Sequence, residues 1–410
     1  MVEKTILIVG TYDTKEAELT YLAEVITGQG GLVKTMDVSV LGDPNQPTDI
    51  SKHDVAEAVG SSIDAAIASG DENTAMQIMG AGAATLALAQ YRAGSIHGVI
   101  VLGGTMGTDL ALDLCSALPI GVPKYVVSTV AFSALLPPDR LPADVQMILW
   151  AGGLYGLNGI CKASLSQAAG AVLGAARAVE PPTSTRPVIG MTSFGKTVLR
   201  YMVDLKPALE SRGFDVAVFH ATGMGGRAFE SLATEGAFAA VMDFAPQEVS
   251  NHLFGGLSAG ATRMTGAGRS ATPQMIAPGC HDLVDFVGWQ AVPDKLRDRP
   301  VHAHNRLLSS AVLSDSERRQ VADALCDKLS TARGPVAVLV PQGGCHEWDR
   351  EGADLHDSAA LAAFCDHLMA NCPANASLHP LDGHINDQMF IEKVLEIFDG
   401  WLADGTVSRG

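Results

Sequence analysis

The chain has 410 residues, of which 47% are hydrophobic and 18% charged, and its formal net charge is -17 at pH 7. That length exceeds one ordinary core and predicts two domains of about 200 residues each, while the acidity excludes nucleic acid as a partner, since counterion release needs basic patches, and disfavours adhesion to a membrane surface. No apolar run reaches the roughly 20 residues that cross a bilayer, Met1-Val-Glu-Lys4 leads directly into a strand pattern, and the cysteines at 115, 161, 280, 326, 345, 365 and 372 form no Cys-x-x-Cys pair, so a cytoplasmic protein with reduced, mostly buried thiols is expected.

In chain order, Thr5 to Val9 is a short β-branched and leucine run that stops at Gly10-Thr-Tyr-Asp-Thr-Lys-Glu16. Ala17 to Ile26 then has helical spacing, and Asp13 with Glu16 reads as its capping box. Leu32 to Val40 is the next strand, followed by a Pro- and Asp-rich loop through Asp54. A long Ala- and Met-rich helix runs from Asp71 towards Arg92, and Ile96 to Leu102 is the third strand. A helix to Ala117, a strand Lys124 to Ser128, an apolar segment Val145 to Ala151 and a helix Ala163 to Val179 complete this half. The small residues of that last helix suit close packing, with another subunit as one possible partner. Alternation of this kind means a parallel sheet with crossover helices.

Glu180-Pro-Pro-Thr-Ser-Thr-Arg-Pro187 belongs in neither helix nor sheet. It predicts a boundary between a domain over 1–182 and a second over 183–410. The second half restarts with strand Val188 to Met191, helix Thr197 to Arg212, strand Asp215 to Phe219, helix Gly226 to Glu235 and strand Phe238 to Phe244. A glycine-rich patch from Gly255 to Gly268 and a strand Gln274 to Ala277 follow. Ser314-x-x-Glu317 opens a helix to Leu329 as a capping box. Val336 to Val340, Asp357 to Met369, Ser377 to Pro380 and Asp387 to Leu402 then read strand, helix, strand, helix. Both halves are therefore read as open α/β sheets, which bind ligands at the carboxyl ends of their strands.

The stretch Val99-Ile-Val-Leu-Gly-Gly-Thr-Met-Gly-Thr-Asp109 is an apolar strand that ends in Gly103, Gly104, Thr105, Gly107 and Thr108 before turning helical. Unpaired N–H groups and the helix dipole at such a turn favour an anion, most often a phosphate. Gly190-Met-Thr-Ser-Phe-Gly-Lys196-Thr197 meets the P-loop spacing, in which Lys196 contacts the outer phosphates and Thr197 ligates magnesium; a plain glycine turn is the alternative. Ala239-Ala-Val-Met-Asp243 resembles the acidic strand end that partners such a metal. In His220-Ala-Thr-Gly-Met-Gly-Gly-Arg-Ala-Phe-Glu230, Gly223, Gly225 and Gly226 form a candidate anion nest, with His220 and Glu230 as proton-transfer candidates or Glu230 as a solvated helix residue. Arg263, beside a flexible glycine segment, offers a guanidinium to phosphate or carboxylate.

Three His/Asp clusters complete the inventory: His281-Asp282, the pair His302 and His304, and His384-Ile-Asn-Asp387. Histidines two apart on an extended segment share a side, which permits metal binding, yet no third ligand is fixed by spacing and Asp387 also suits a helix N-cap. Any metal ligand set stays unknown at this stage.

As a set, Gly10-Thr-Tyr-Asp-Thr-Lys15, Gly103-Gly-Thr-Met-Gly-Thr108, Met191-Thr-Ser-Phe-Gly195, His220-Ala-Thr-Gly-Met-Gly-Gly226, Pro278-Gly279 and His384-Ile-Asn-Asp387 resemble the Tm-1-like ATP-binding family, known as the N-terminal inhibitory domain of a plant tobamovirus-resistance protein and from bacterial proteins of uncharacterised function. The resemblance spans nearly the whole chain. It implies two Rossmann-like α/β domains, a homodimer, and ATP with Mg2+ held by glycine and threonine loops. It also departs from the family at Lys196 and at Pro278-Gly-Cys-His-Asp282, which favours Asp282 over His281 as a functional residue.

The combined expectation is an α/β protein of two Rossmann-like open parallel-sheet domains with a cleft between them. A nucleotide is expected on Gly10, Thr11, Asp13, Thr14 and the loop from Gly103 to Thr108, with Thr192, Ser193, Phe194, Gly195, Lys196 and Thr197, or Gly223 to Gly226 with Arg263, opposite. If chemistry occurs, Lys15, His220, Glu230, Asp282, His384 and Asp387 are the catalytic candidates. Two alternatives stay open: an enzyme that acts on a small phosphorylated or carboxylated metabolite through the His/Asp clusters, and an interaction module regulated by ATP.

Overall fold

The computed structural model describes residues 3–137, 140–180, 186–195 and 200–409. Lys196 and Thr197 of the P-loop-like stretch lie outside the described residues. The chain divides into two compact units, Met1–Thr183 and Ser184–Gly410.

The N-terminal unit runs β1 (Thr5–Gly10), α1 (Tyr12–Gly28), β2 (Leu32–Asp37), α2 (Lys52–Glu57), α3 (Ile63–Ala68), α4 (Glu72–Arg92), β3 (Gly98–Gly103), α5 (Thr105–Ala117), β4 (Lys124–Ser128), β5 (Gln146–Leu149) and α6 (Gly159–Ala178). Its sheet is wholly parallel, in the order β2-β1-β3-β4-β5. Side chains alternate across the sheet as strand geometry requires. Leu7, Val9, Val99 and Val101 pack under α4 and α5, while Ile6, Ile8, Ile100 and Leu102 pack under α1 and α6. Of the small residues of α6, Ala168, Ala169 and Ala176 are buried in that second layer.

Two local expectations fail here, for physical reasons. Asp13 and Glu16 do not cap α1; the segment after β2 folds back over the helix start, so Asp13 accepts from the Ser39 hydroxyl at 3.0 Å and the Gly42 amide at 3.3 Å, and Glu16 accepts from the amides of Asn45 and Gln46 at 3.2 and 3.0 Å. These amides supply the bonds a capping box would have made. The Pro- and Asp-rich stretch also closes into the short α2 and α3, each opened by a serine, Ser51 and Ser62, whose hydroxyl accepts a first-turn amide.

The C-terminal unit runs β6 (Val188–Ser193), α7 (Arg200–Ser211), β7 (Asp215–His220), α8 (Met224–Thr234), β8 (Ala240–Asp243), α9 (Glu248–Phe254), α10 (Gly266–Ser270), β9 (Gln274–Ile276), β10 (Leu283–Val287), β11 (Val301–Ala303), β12 (Leu308–Val312), α11 (Asp315–Ser330), β13 (Val336–Pro341), α12 (Ser358–Asn371), β14 (Ala376–Leu381) and α13 (Gln388–Ala403). Its main sheet is parallel in the order β14-β13-β9-β8-β6-β7, and β10-β12-β11 form a separate antiparallel sheet that the alternating pattern does not anticipate. The capping box at α11 is present: the Ser314 amide and hydroxyl donate to Glu317 at 2.9 and 2.8 Å.

Both parallel sheets change strand order direction at one point, between β1 and β3 and between β6 and β8. Crossover chains leave in opposite directions there, which opens a crevice at the carboxyl ends of the two strands. Among the described residues no helix is long and apolar enough to cross a membrane, and all seven cysteines are free thiols, six of them buried.

Candidate functional site

In the N-terminal unit the crevice is open. A hollow of about 610 Å³ is lined by Thr11, Asp13, Thr14 and Lys15 from the start of α1 and by Gly103, Gly104, Thr105, Met106 and Gly107 from the turn between β3 and α5. Two glycine and threonine loops that lie about ninety residues apart in sequence thus share one wall, because β1 and β3 are neighbours. Val38, Val40, Leu41, Ala66, Ile67, Ala75 and Met76 supply an apolar opposite side.

The loops are shaped by close packing. A Cβ on Gly103 would stand 2.6 Å from the α carbon of Gly107, so this turn closes only with glycine. Gly104 caps α5 without a side-chain bond, which leaves the first-turn amides of that helix facing outward. Gly10 sits against Leu19 of α1, so its role is packing. Thr108 is fully buried and does not line the hollow; its hydroxyl bonds the Gly104 carbonyl and the Ser128 hydroxyl, each at 2.7 Å. The Thr11 and Thr14 hydroxyls bond each other at 3.1 Å, and the backbone kinks at Lys15, whose ammonium lies 5.7 Å from the Tyr155 ring centre.

Lys15 is the sole cation among the described lining residues, against the carboxylates of Asp13, Asp71 and Glu72. A second hollow of about 410 Å³ shares Asp71, Glu72, Met76, Thr105 and Met106 with the first and adds Asp109, Leu112, Val130 and Leu135.

In the C-terminal unit the glycine loop is already occupied by the chain itself. The Gly223 amide donates to Glu248, and a Cβ on Gly226 would overlap that same carboxylate. The nest expected to receive a ligand anion therefore holds an internal one. Gly223 has φ +87, a conformation that favours glycine. Arg263, expected as a free guanidinium, is fully buried: it contacts Asp243 through two nitrogens, Glu248 at 2.7 Å and Glu230 at 3.3 Å. Glu230 is likewise buried, not solvated, and accepts from the amides of Met264 and Gly266. Burial raises the Glu230 carboxyl above its ordinary range and lifts Glu248 to about 7, each against the pull of Arg263. Thr192 bonds Asp243 at 2.7 Å and the Ala245 amide at 3.0 Å. Asp243 thus serves this network where a metal-binding role was expected.

The His/Asp residues form a second, largely buried cluster at the carboxyl ends of β9, β13 and β14. Asp282 Oδ1 lies 3.0 Å from His346 Nε2, and Arg318 approaches Oδ2 at 3.5 Å. His384 Nε2 contacts the His346 carbonyl at 2.9 Å and Asp349 Oδ1 at 3.2 Å, and its Nδ1 accepts from the Asn386 amide at 3.0 Å. Gly344, at φ +137, permits this meeting, because a Cβ there would collide with His384 and Asp349. Burial would raise the Asp282 carboxyl, but His346, His281 and Arg318 hold it far below its usual range. Burial also opposes the charge on His346, yet Asp282 and Asp349 win and raise it above the ordinary imidazole value. Asp387 pairs with Arg350 at 3.1 Å and accepts the His384 amide at 3.0 Å, so its carboxylate does not cap α13.

His302 and His304 lie beside Trp348, with ring centres 3.9 and 6.0 Å away. Among the described residues no group of three His, Cys, Asp or Glu is arranged for a metal. His220 stands apart, exposed, its Nδ1 accepting the Gly195 amide at 3.3 Å and its ring stacked over buried Phe194 at 5.9 Å. Ser193 is buried at the end of β6, and Gly225 packs on the His220 backbone. His346, Trp348 and Asp349 were missed from sequence; the signal was Gly343-Gly344-Cys345-His346 directly after the apolar strand β13.

Residues 4–181 match the family model described as the UPF0261 N-terminal domain, and residues 186–402 match its C-terminal domain, both of an uncharacterised protein family. A UPF0261 protein of Brucella melitensis is 51% identical over 99% of this chain and 97% of its own length. One from Clostridium tetani is 34% identical over 94% of this chain and 96% of its own. The ToMV resistance protein Tm-1(GCR237) of Solanum lycopersicum is 30% identical over 74% of this chain, a match that covers 41% of the tomato protein.

Proposed function

The chain belongs to the UPF0261 family, and we propose that it binds ATP with Mg2+ in the hollow of its N-terminal unit. One observation carries this reading: the Thr11–Lys15 and Gly103–Gly107 loops line a single hollow at the strand-order reversal of a parallel sheet. That is where doubly wound folds hold phosphates, and the outward amides of α5 supply the donors. The apolar side, with Val38, Leu41, Ile67 and Met76, suits a flat base.

The charge balance supports a metal nucleotide over a bare one. Three carboxylates and one lysine line the hollow, and a polyphosphate entering alone meets repulsion that a divalent cation relieves. Asp13, which keeps acceptor capacity beyond its bonds to Ser39 and Gly42, is the residue we assign to Mg2+, directly or through water. The cation would neutralise phosphate charge there, and Lys15 would neutralise the remainder.

The adjoining hollow favours an enzyme over a binding module. Thr105 and Met106 wall both spaces, so a phosphate on the α5 N-terminus borders a compartment with room for a small second reactant. Titration calorimetry with ATP, with and without Mg2+, tests the binding, and a Gly104→Val variant tests the place. A Cβ at Gly104 meets nothing nearer than the Thr129 hydroxyl at 3.7 Å, so the first carbon of a side chain is accommodated there.

A further inference from the structure

The hollow beside the nucleotide site is walled on one side by the loop that leaves β4. Because β4 is the neighbour of β3, the chain after Ser128 meets the start of α5. Ser128 ties the two together: its hydroxyl bonds the Thr108 hydroxyl of α5 at 2.7 Å and accepts the Val130 amide at 3.0 Å. Val130, Leu135, Leu136 and Pro137 of this loop, with Leu112 of α5, give the hollow of about 410 Å³ an apolar wall. A space of that size, mostly apolar with a few polar groups, is the usual form of a small-molecule site.

The charged groups of the hollow are carboxylates. Asp71, Glu72 and Asp109 line it, and no lysine, arginine or histidine does so among the described residues. Arg140 is already engaged, since its guanidinium pairs with Asp109 and, at 2.7 Å, with Asp113. That pairing neutralises Asp109 and leaves Asp71 and Glu72 as the active charge. Asp71 caps α4 through Oδ2 alone, which accepts the Thr74 amide at 2.8 Å and hydroxyl at 2.5 Å. These bonds from Thr74 hold its carboxyl below the ordinary range, so it stays ionised with its second oxygen free of them. Glu72 has no ion-pair or hydrogen-bond partner for its carboxylate among the described residues.

We propose that this hollow binds a small aliphatic primary amine, its ammonium held by Asp71 and Glu72 and its carbon chain laid on Leu112, Val130 and Leu135. A carboxylate or phosphate ligand would bring charge of the same sign as these two groups, and a neutral alcohol would leave their charge unmatched. Thr105 and Met106 wall both this hollow and the one assigned to ATP, and Asp71 and Glu72 border both. An ammonium there therefore also relieves the repulsion that a polyphosphate meets from the two carboxylates. The amine's role as second reactant rests on the nucleotide reading; its binding does not.

The test titrates the full chain with methylamine, n-propylamine and n-butylamine, read by ligand-observed NMR with and without Mg-ATP. The uncharged and anionic counterparts are n-butanol and butyrate. Affinity should rise about three-fold for each added methylene group, and n-butanol and butyrate should show no saturable binding. Asp71→Asn combined with Glu72→Gln, which keeps a capping residue at α4, should weaken n-butylamine at least about ten-fold. Glu57→Gln, a change at an exposed carboxylate outside the hollow, should leave that affinity as it is. Leu135 is exposed and lines this hollow but not the first. Leu135→Ala should therefore cost n-butylamine about three-fold and methylamine nothing, and Mg-ATP should not displace the amine. Absence of amine binding overturns the proposal, as does binding that is indifferent to chain length or to Leu135→Ala, that survives the double variant, or that Mg-ATP displaces. Amine binding as stated without any ATP binding would instead overturn the nucleotide reading and leave this site standing.

Discussion

The amide of Gly223 donates to the buried carboxylate of Glu248, so the nest that glycine spacing offers to a ligand is filled by the chain's own anion. Glu248 in turn holds Arg263 at 2.7 Å, and Arg263 binds Asp243 at the end of β8. A loop that resembles a phosphate site in sequence thus serves as the hub of a structural network. Gly226→Ala should place a methyl group against Glu248 and destabilise the protein by roughly 1–3 kcal/mol, read as a lower denaturation midpoint. Mg-ATP affinity should stay unchanged, because the nucleotide is assigned to the other unit.

Arg263→Met removes the one cation that Asp243, Glu230 and Glu248 share. Leaving buried carboxylates unpaired should cost about 3–5 kcal/mol. A direct phosphate contact at Arg263 would instead lower nucleotide affinity with little loss of stability. Calorimetric melting and titration on the same variant separate the two.

Glu248 also sets a pH dependence. Its folded pKa, about 7, lies above the ordinary 4.5 because burial outweighs Arg263. A raised pKa means the folded state holds the proton more tightly, so its contribution is complete below the ordinary value and is lost as pH rises through the folded one. Melting temperature should therefore fall between about pH 5 and about pH 8. Glu248→Gln, which mimics the protonated form, should flatten that slope.

Much of the fold was legible because its signals are local and periodic. β3 and α5 follow from an apolar run that breaks at Gly103 and Gly104, and α11 from Ser314 and Glu317. What the sequence could not supply was where each polar group finds its partner. Asp13 turns from the helix it precedes to Ser39 and Gly42, twenty-six and twenty-nine residues away, and Arg263 reaches back to Glu230. Short β11 and β12 carry no alternation long enough to register. For the site, the Thr11–Lys15 and Gly103–Gly107 loops are both readable as strand ends, but their meeting depends on β1 and β3 being neighbours. His346 went unread because Cys345-His346-Glu347 matches no regular spacing, although it follows a strand end as closely as the loops that were read.

Thr108 separates loop support from ligand contact. Its hydroxyl is buried between Gly104 and Ser128, so Thr108→Val should destabilise by about 1–2 kcal/mol and alter Mg-ATP affinity much less than Gly104→Val does. Equal loss of affinity in both would place the Thr108 hydroxyl on the ligand.

The central claim rests on the N-terminal hollow, and titration calorimetry of the whole protein with ATP addresses it most directly, with and without Mg2+ and in the Gly104→Val variant. The account predicts one Mg2+-dependent ATP site per chain in the native protein and its loss in Gly104→Val with the melting curve retained. Binding that persists undiminished in the variant, or no ATP binding under any condition, would contradict it.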